Sequence, residues 1–123
     1  MKKILVAEDD KFLSAAYKAK LVKSGWEVRL VMDGQETLEA LETFAPDVIL
    51  LDLVMPRMDG FTTLAELKKN PKWAKIPVMV ASNLGQKEDI DRSRELGAAG
   101  YVVKADLSID ELVKRIEEAI LAV

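Results

Sequence analysis

The sequence predicts an α/β domain built on a parallel five-stranded sheet with helices on both faces. Two observations carry this. Short apolar runs alternate with helical stretches five times along the chain, with no linker, internal repeat or low-complexity tract between them. Several of the runs, such as Ile4-Leu5-Val6-Ala7 and Val48-Ile49-Leu50-Leu51, are apolar throughout, as strands covered on both faces must be.

In order, the first run is a strand. Phe12, Ala15, Ala16, Ala19 and Val22 then follow the spacing of an amphipathic helix and are expected to face the core. Asp10 suits its N-cap, and Gly25 ends it in the left-handed conformation. Glu27-Val28-Arg29-Leu30-Val31 alternates, which places a second strand near an edge of the sheet. Asp33-Gly34-Gln35-Glu36 has the form of a capping box; Leu38, Leu41 and Ala45 extend that helix until Pro46 stops it. Val48 to Leu51 is the central strand. Asp59-Gly60 reads as a turn and helix start, with no chemistry, and Phe61 to Lys69 as a helix closed by Asn70-Pro71. Val78-Met79-Val80-Ala81 is the fourth strand, Gln86 to Leu96 a helix ended by Gly97, and Tyr101-Val102-Val103 a short fifth strand. Ser108-Ile109-Asp110-Glu111 opens the last helix, striped by Ile109, Leu112, Val113, Ile116 and Ile120. Trp26 and Trp73 read as packing residues near loops. A length of 123 residues fits one domain, expected to span 1–123.

Composition narrows the chemistry. The chain has no cysteine and no histidine, which excludes disulfides, thiolate zinc sites, a histidine base and a Ser-His-Asp triad. A net charge of -3 leaves no basic footprint for direct nucleic-acid binding. No apolar run approaches a membrane span, and the stretch after Met1-Lys2-Lys3 breaks at Glu8-Asp9-Asp10, too soon for a signal peptide. The expected location is the cytoplasm.

If the sheet is parallel, its strands end on one edge, where ligands of such sheets sit. Strand one ends at Glu8-Asp9-Asp10, strand three at Asp52, strand four at Ser82 and strand five at Lys104. A carboxylate closing a buried strand needs a partner. Lys104 is one candidate in a plain ion pair, but one lysine does not neutralise two or three carboxylates, whereas a divalent cation does. Oxygen ligands alone favour Mg²⁺ or Ca²⁺, and few carboxylates beside open positions favour Mg²⁺. A carboxylate nucleophile, Mg²⁺, a hydroxyl and a lysine together suit phosphoryl transfer.

Ile4 to Asp10, Asp52-Leu53-Val54-Met55-Pro56-Arg57-Met58-Asp59-Gly60, Ile76-Pro77-Val78 with Ser82, and Gly100 to Lys104 resemble, in order and over essentially the whole chain, the motifs of CheY-like receiver domains of two-component response regulators. The resemblance implies a doubly wound, flavodoxin-like sheet of strand order 2-1-3-4-5. It also implies that Asp52 accepts phosphate from a sensor histidine kinase or a histidine phosphotransfer protein. Asp9 and Asp52 would bind Mg²⁺ directly, Glu8 through a water, and Val54 through its backbone carbonyl. Ser82 and Lys104 would contact the phosphoryl group, and Tyr101 would switch with Ser82. Asp52, Ser82 and Lys104 would thus assist the protein's own phosphorylation and slow dephosphorylation, without turnover of an external substrate. The output surface toward a downstream target would be helix four, strand five and helix five. Helix four, whose one strong apolar anchor is Ile90, is expected to be loosely held.

Two departures stand out. Ala105 follows the lysine where the family usually has proline joined by a cis peptide; a non-proline cis bond costs about 2.5–4 kcal/mol, which favours trans here. Val54 and Leu84 are apolar at the two positions that tune attack by water in the family, which predicts a long-lived phosphoryl group. Two other readings compete. One is a pseudo-receiver that only binds partners; the other is a Mg²⁺-dependent aspartyl-phosphate hydrolase, disfavoured by Val54 where such an enzyme wants a second aspartate.

Overall fold

The computed structural model describes residues 2–121. Five strands and five helices alternate: β1 (Lys3–Ala7), α1 (Lys11–Lys23), β2 (Glu27–Val31), α2 (Gly34–Ala40), β3 (Val48–Leu51), α3 (Gly60–Lys69), β4 (Val78–Ser82), α4 (Lys87–Glu95), β5 (Gly100–Val103) and α5 (Ile109–Leu121). A 3₁₀ turn, Lys104–Asp106, joins β5 to α5. All strand pairs are parallel and the order is β2-β1-β3-β4-β5. The fold class and strand order expected from the sequence are those observed.

Alternate residues of each strand serve opposite layers. Leu5, Ala7, Ile49, Leu51, Val78 and Val80 pack with Phe44, Phe61, Leu64 and Leu67 under α2 and α3. Ile4, Val6, Val48, Leu50, Met79 and Ala81 pack with Tyr17, Leu21, Leu112, Val113 and Ile116 under α1 and α5. This division explains why the central strands are apolar at every position. Each fully buried Leu, Ile or Val contributes about 1.5–3 kcal/mol relative to exposure.

The predicted caps form. Asp10 accepts from the amides of Phe12 and Leu13, and Asp33 from that of Glu36. Ser108 and Glu111 make the reciprocal bonds of a capping box. Gly25 has φ +95°; its N–H donates to Val22, and that of Trp26 donates to Leu21, closing α1 in a Schellman motif.

Two expectations need correction. The stripe Phe12, Ala15, Ala16, Ala19 and Val22 does not face the core, for Phe12 is 90% and Val22 52% exposed. Ser14, Tyr17 and Leu21 are the buried residues of α1. Alanines fit either face, so the helical period is satisfied in two registers; Ser14 enters the core because its Oγ donates to the Glu8 carbonyl at 3.0 Å. Secondly, α2 ends at Ala40, short of Ala45. Turns replace its last part and tuck Phe44, not Ala45, against the sheet.

Candidate functional site

Four strand ends build one cleft. β1 delivers Glu8 and Asp9, β3 Asp52, β4 Ser82, and β5 Lys104, and these residues, with Asp10, Leu13, Val54, Asn83 and Leu84, line a space of about 450 Å³. The register places them: the Asp52 amide donates to the Ala7 carbonyl, which holds the ends of β3 and β1 level, and the Glu8 amide donates to the Val31 carbonyl, which ties the end of β1 to that of β2. Glu8 and Asp52 are only 3% and 6% exposed, Ser82 is buried, and Asp9 is exposed. Glu8, Asp9 and Asp52 each offer a carboxylate oxygen, and the three lie within 4.8 Å of one another.

Lys104 is the cation that answers this cluster. Its Nζ donates to Asp52 Oδ2 at 3.0 Å and to Glu8 Oε1. Burial drives the Glu8 carboxyl above its ordinary pKa, and the Lys104 and Asp10 hydrogen bonds offset that only in part. Burial works against the Lys104 ammonium too, but hydrogen bonds and charge from Glu8 and Asp52 outweigh it and raise the lysine's pKa. Three carboxylates around one ammonium leave the cleft with uncompensated negative charge. That donor set, all oxygen and clustered beside open space, fits a hard divalent cation.

The other predicted site residues fall into two groups. Val54 lines the cleft and is 60% exposed, and its amide donates to Asp52 Oδ1 at 3.3 Å. Ser82 Oγ accepts from the Leu84 amide at 3.3 Å. Tyr101 stands behind the cleft instead of lining it: its hydroxyl donates to the Leu84 carbonyl, so it is joined to Ser82 through the β4–α4 loop. Burial raises its phenol pKa, with Asp89 adding to the effect. The Lys104–Ala105 peptide is trans, and the lysine still reaches both carboxylates. On α4 the one buried residue is Ser93, whose Oγ bonds back to the Ile90 carbonyl, while Ile90 itself is half-buried.

Sequence reasoning missed two supporting features. Gly60 has a structural demand, since a Cβ there would sit 2.3 Å from the Asp52 carbonyl oxygen and 2.6 Å from Leu53 Cα. α3 therefore starts directly against the backbone of the carboxylate's own residue. The second feature is Arg57, which pairs with Asp33 at the start of α2. A glycine eight positions after Asp52 was a usable signal for the first; nothing local linked Arg57 to a residue 24 positions away. A larger groove of about 700 Å³ lies between α1 and β2, lined by Ala15, Ala19, Val22, Leu30 and Met32 among others. Its exposed surface is mainly apolar, with Glu8, Lys11, Lys18 and Glu36 also in its lining. Among the described residues, no helix is long and apolar enough to cross a membrane.

Comparison with known proteins agrees with this geometry. A family profile described as the response regulator receiver domain matches residues 4–117. The chain is 36% identical over 110 residues to the gliding motility regulatory protein of Myxococcus xanthus, covering 89% of this chain and 14% of that protein. It is 32% identical over 116 residues to the DNA-binding dual master transcriptional regulator RpaA of Synechocystis, covering 94% of this chain and 48% of that one. The chain thus spans about half or less of these two relatives. Among solved structures, the receiver domain of the Francisella response regulator 1452 superposes with a TM-score of 0.89 at 33% identity, covering 99% of this chain and 98% of that one. With its motifs, strand order and acidic cleft all pointing the same way, the chain belongs to the response regulator receiver domains of two-component systems.

Proposed function

We propose that this receiver is a phosphoacceptor switch, residues 1–123 acting as one domain in which Asp52 takes a phosphoryl group from a histidine kinase or histidine phosphotransfer protein. The observation that carries the reading is the convergence of Asp52, Asp9, Glu8, Ser82 and Lys104 around one open cleft. Asp9, Asp52 and the Val54 carbonyl would hold Mg²⁺, with Glu8 acting through a water, and the ion would offset charge on the incoming phosphoryl group.

The chain's own residues do the rest. An Asp52 carboxylate oxygen attacks phosphorus, the bond from phosphorus to the donor's imidazole nitrogen breaks, and the electron pair stays on that nitrogen. Lys104, already bonded to Asp52, shifts its Nζ toward a phosphoryl oxygen. Ser82 donates its hydroxyl to another. The product carries roughly -1.5 to -2 charge and three acceptor oxygens where a monoanion stood, enough to draw the β4–α4 loop inward. Leu84 lies on that loop and Tyr101 is bonded to its carbonyl, so movement of the loop reaches β5. The weakly buried α4 is the element that yields, and the surface of α4, β5 and α5 is where a downstream target would read the change. The cytoplasm, where such kinases present their phosphohistidines, is the proposed location.

Amide NMR shifts on adding Mg²⁺ and beryllofluoride, an analogue of the phosphoryl group, test this reading. Shifts that start at Asp52, Ser82 and Lys104 and extend into Tyr101 and α4 are expected. No shifts would favour a pseudo-receiver, and shifts confined to the cleft would overturn the switch through Tyr101 and α4.

A further inference from the structure

The loop between β3 and α3 carries Val54 and ends at Gly60, so its shape decides where the Val54 carbonyl points. Its base is closed by the Gly60 amide donating to the Leu53 carbonyl at 2.9 Å. Its far side is held against α2. The Gly34 amide donates to the Met58 carbonyl at 3.1 Å, and a Cβ on Gly34 would sit 2.8 Å from that oxygen. Between these two anchors stands Arg57, with φ +63°, the one non-glycine residue with positive φ among the described residues. An L-residue in that conformation persists only where its surroundings hold it there.

The holding group is Asp33. Its carboxylate is buried and its two oxygens are divided: Oδ1 accepts the Glu36 amide at 2.8 Å as the α2 N-cap, and Oδ2 accepts Arg57 Nε at 2.7 Å. The Arg57 guanidinium also reaches Glu36 Oε2 at 3.4 Å. The pairing joins α2 to a point three residues beyond Val54 and five beyond Asp52. A glycine or asparagine would adopt this backbone more readily, so the arginine is accounted for by its side chain rather than by its conformation.

Building on the Mg²⁺-dependent phosphoacceptor reading above, we infer that Arg57 is a positioning residue for metal binding. Its clamp on Asp33 fixes the β3–α3 loop and, with it, the position of the Val54 carbonyl that would bind the ion. Releasing the clamp weakens Mg²⁺ binding without touching the groups that handle the phosphoryl group.

The test compares wild type, Arg57→Asn, Arg57→Lys and the double variant Asp33→Asn with Arg57→Asn. Asparagine tolerates positive φ, and the double variant leaves no unpaired buried carboxylate, so a folded protein is available even if the single variant is unstable. Mg²⁺ affinity is read by calorimetry, and the initial rate of phosphorylation by acetyl phosphate is followed by intact mass across a Mg²⁺ series. The asparagine variants should bind Mg²⁺ about tenfold more weakly, the size typical of losing support behind a metal ligand. Their half-saturating Mg²⁺ should rise by the same factor while the saturating rate stays at the wild-type value, and Arg57→Lys should recover part of the loss. Unchanged Mg²⁺ affinity in both asparagine variants, or a lower saturating rate with unchanged affinity, would overturn the inference alone. A wild-type protein that binds no Mg²⁺ and gains no phosphate would overturn the phosphoacceptor reading with it.

Discussion

Replacing Glu8 by Gln should stabilise the protein when divalent cations are absent. Glu8 is buried with Asp52, and the carboxylate oxygens of Glu8, Asp9 and Asp52 lie within 4.8 Å of one another. At an effective dielectric constant of about 20, the buried Glu8–Asp52 pair repels by about 3.5 kcal/mol; exposed Asp9, screened nearly as in water, adds about 1 kcal/mol. Ion-pair contact with Lys104 returns about 5 kcal/mol, and desolvating the carboxylate costs several. The sum falls on the unfavourable side, the same direction in which burial drives the Glu8 pKa. Gln keeps one acceptor, for Lys104, but its Nε2 cannot accept from the Asp10 amide as Glu8 Oε2 does, so after that lost hydrogen bond and solvent relaxation we expect a net gain of about 1 kcal/mol. For 123 residues that raises Tm by roughly 4 °C. The assay is thermal unfolding followed by circular dichroism near neutral pH, first in excess chelator and then in millimolar Mg²⁺. Added Mg²⁺ should favour wild type, which binds it better and is stabilised by mass action. A Glu8→Gln protein no more stable than wild type in chelator would refute this charge balance.

Other predictions rest on separate features. Gly60→Ala forces a Cβ into the Asp52 carbonyl and should lower stability by at least about 2 kcal/mol, measured by urea midpoint. Burial would raise the Asp33 pKa, but the Glu36 amide and Arg57 outweigh it and hold it below its ordinary 3.8. A lowered folded-state pKa adds stability that is complete above the unfolded value and lost as pH falls through the folded one. The stability gap between wild type and Asp33→Asn should therefore be full at neutral pH and close below about pH 3.8 in chemical denaturation; a gap independent of pH would show the Arg57 pairing to be energetically silent. Val54→Asn places an amide at the mouth of the cleft that orients water, and should shorten the lifetime of the phosphorylated form by roughly tenfold, read by intact mass over time.

Much of this molecule was legible because parallel alternation has few outcomes. Once strands and helices were read in turn, the ends of β1, β3, β4 and β5 had to share an edge, and Glu8, Asp9, Asp52, Ser82 and Lys104 came together without knowledge of any contact. The α1 stripe points to the wrong face because Ala15, Ala16 and Ala19 are small enough for either one. Ser14, though polar, turns inward because its hydroxyl donates to the Glu8 carbonyl. The Arg57–Asp33 clamp was hidden for another reason. A charged residue in a turn is ordinarily solvated, and only the packing of α2 against the β3–α3 loop reveals its partner. Tyr101 lay between these cases, since its place in β5 was clear but its bond to the Leu84 carbonyl depends on the path of a loop.

The most direct test of the account is intact mass after incubation with acetyl phosphate, with and without Mg²⁺, on wild type and Asp52→Asn. A gain of one phosphate that requires Mg²⁺ and disappears in Asp52→Asn is the predicted result. No gain in wild type, or a gain that persists in Asp52→Asn, would contradict the assignment of Asp52 as the phosphoacceptor.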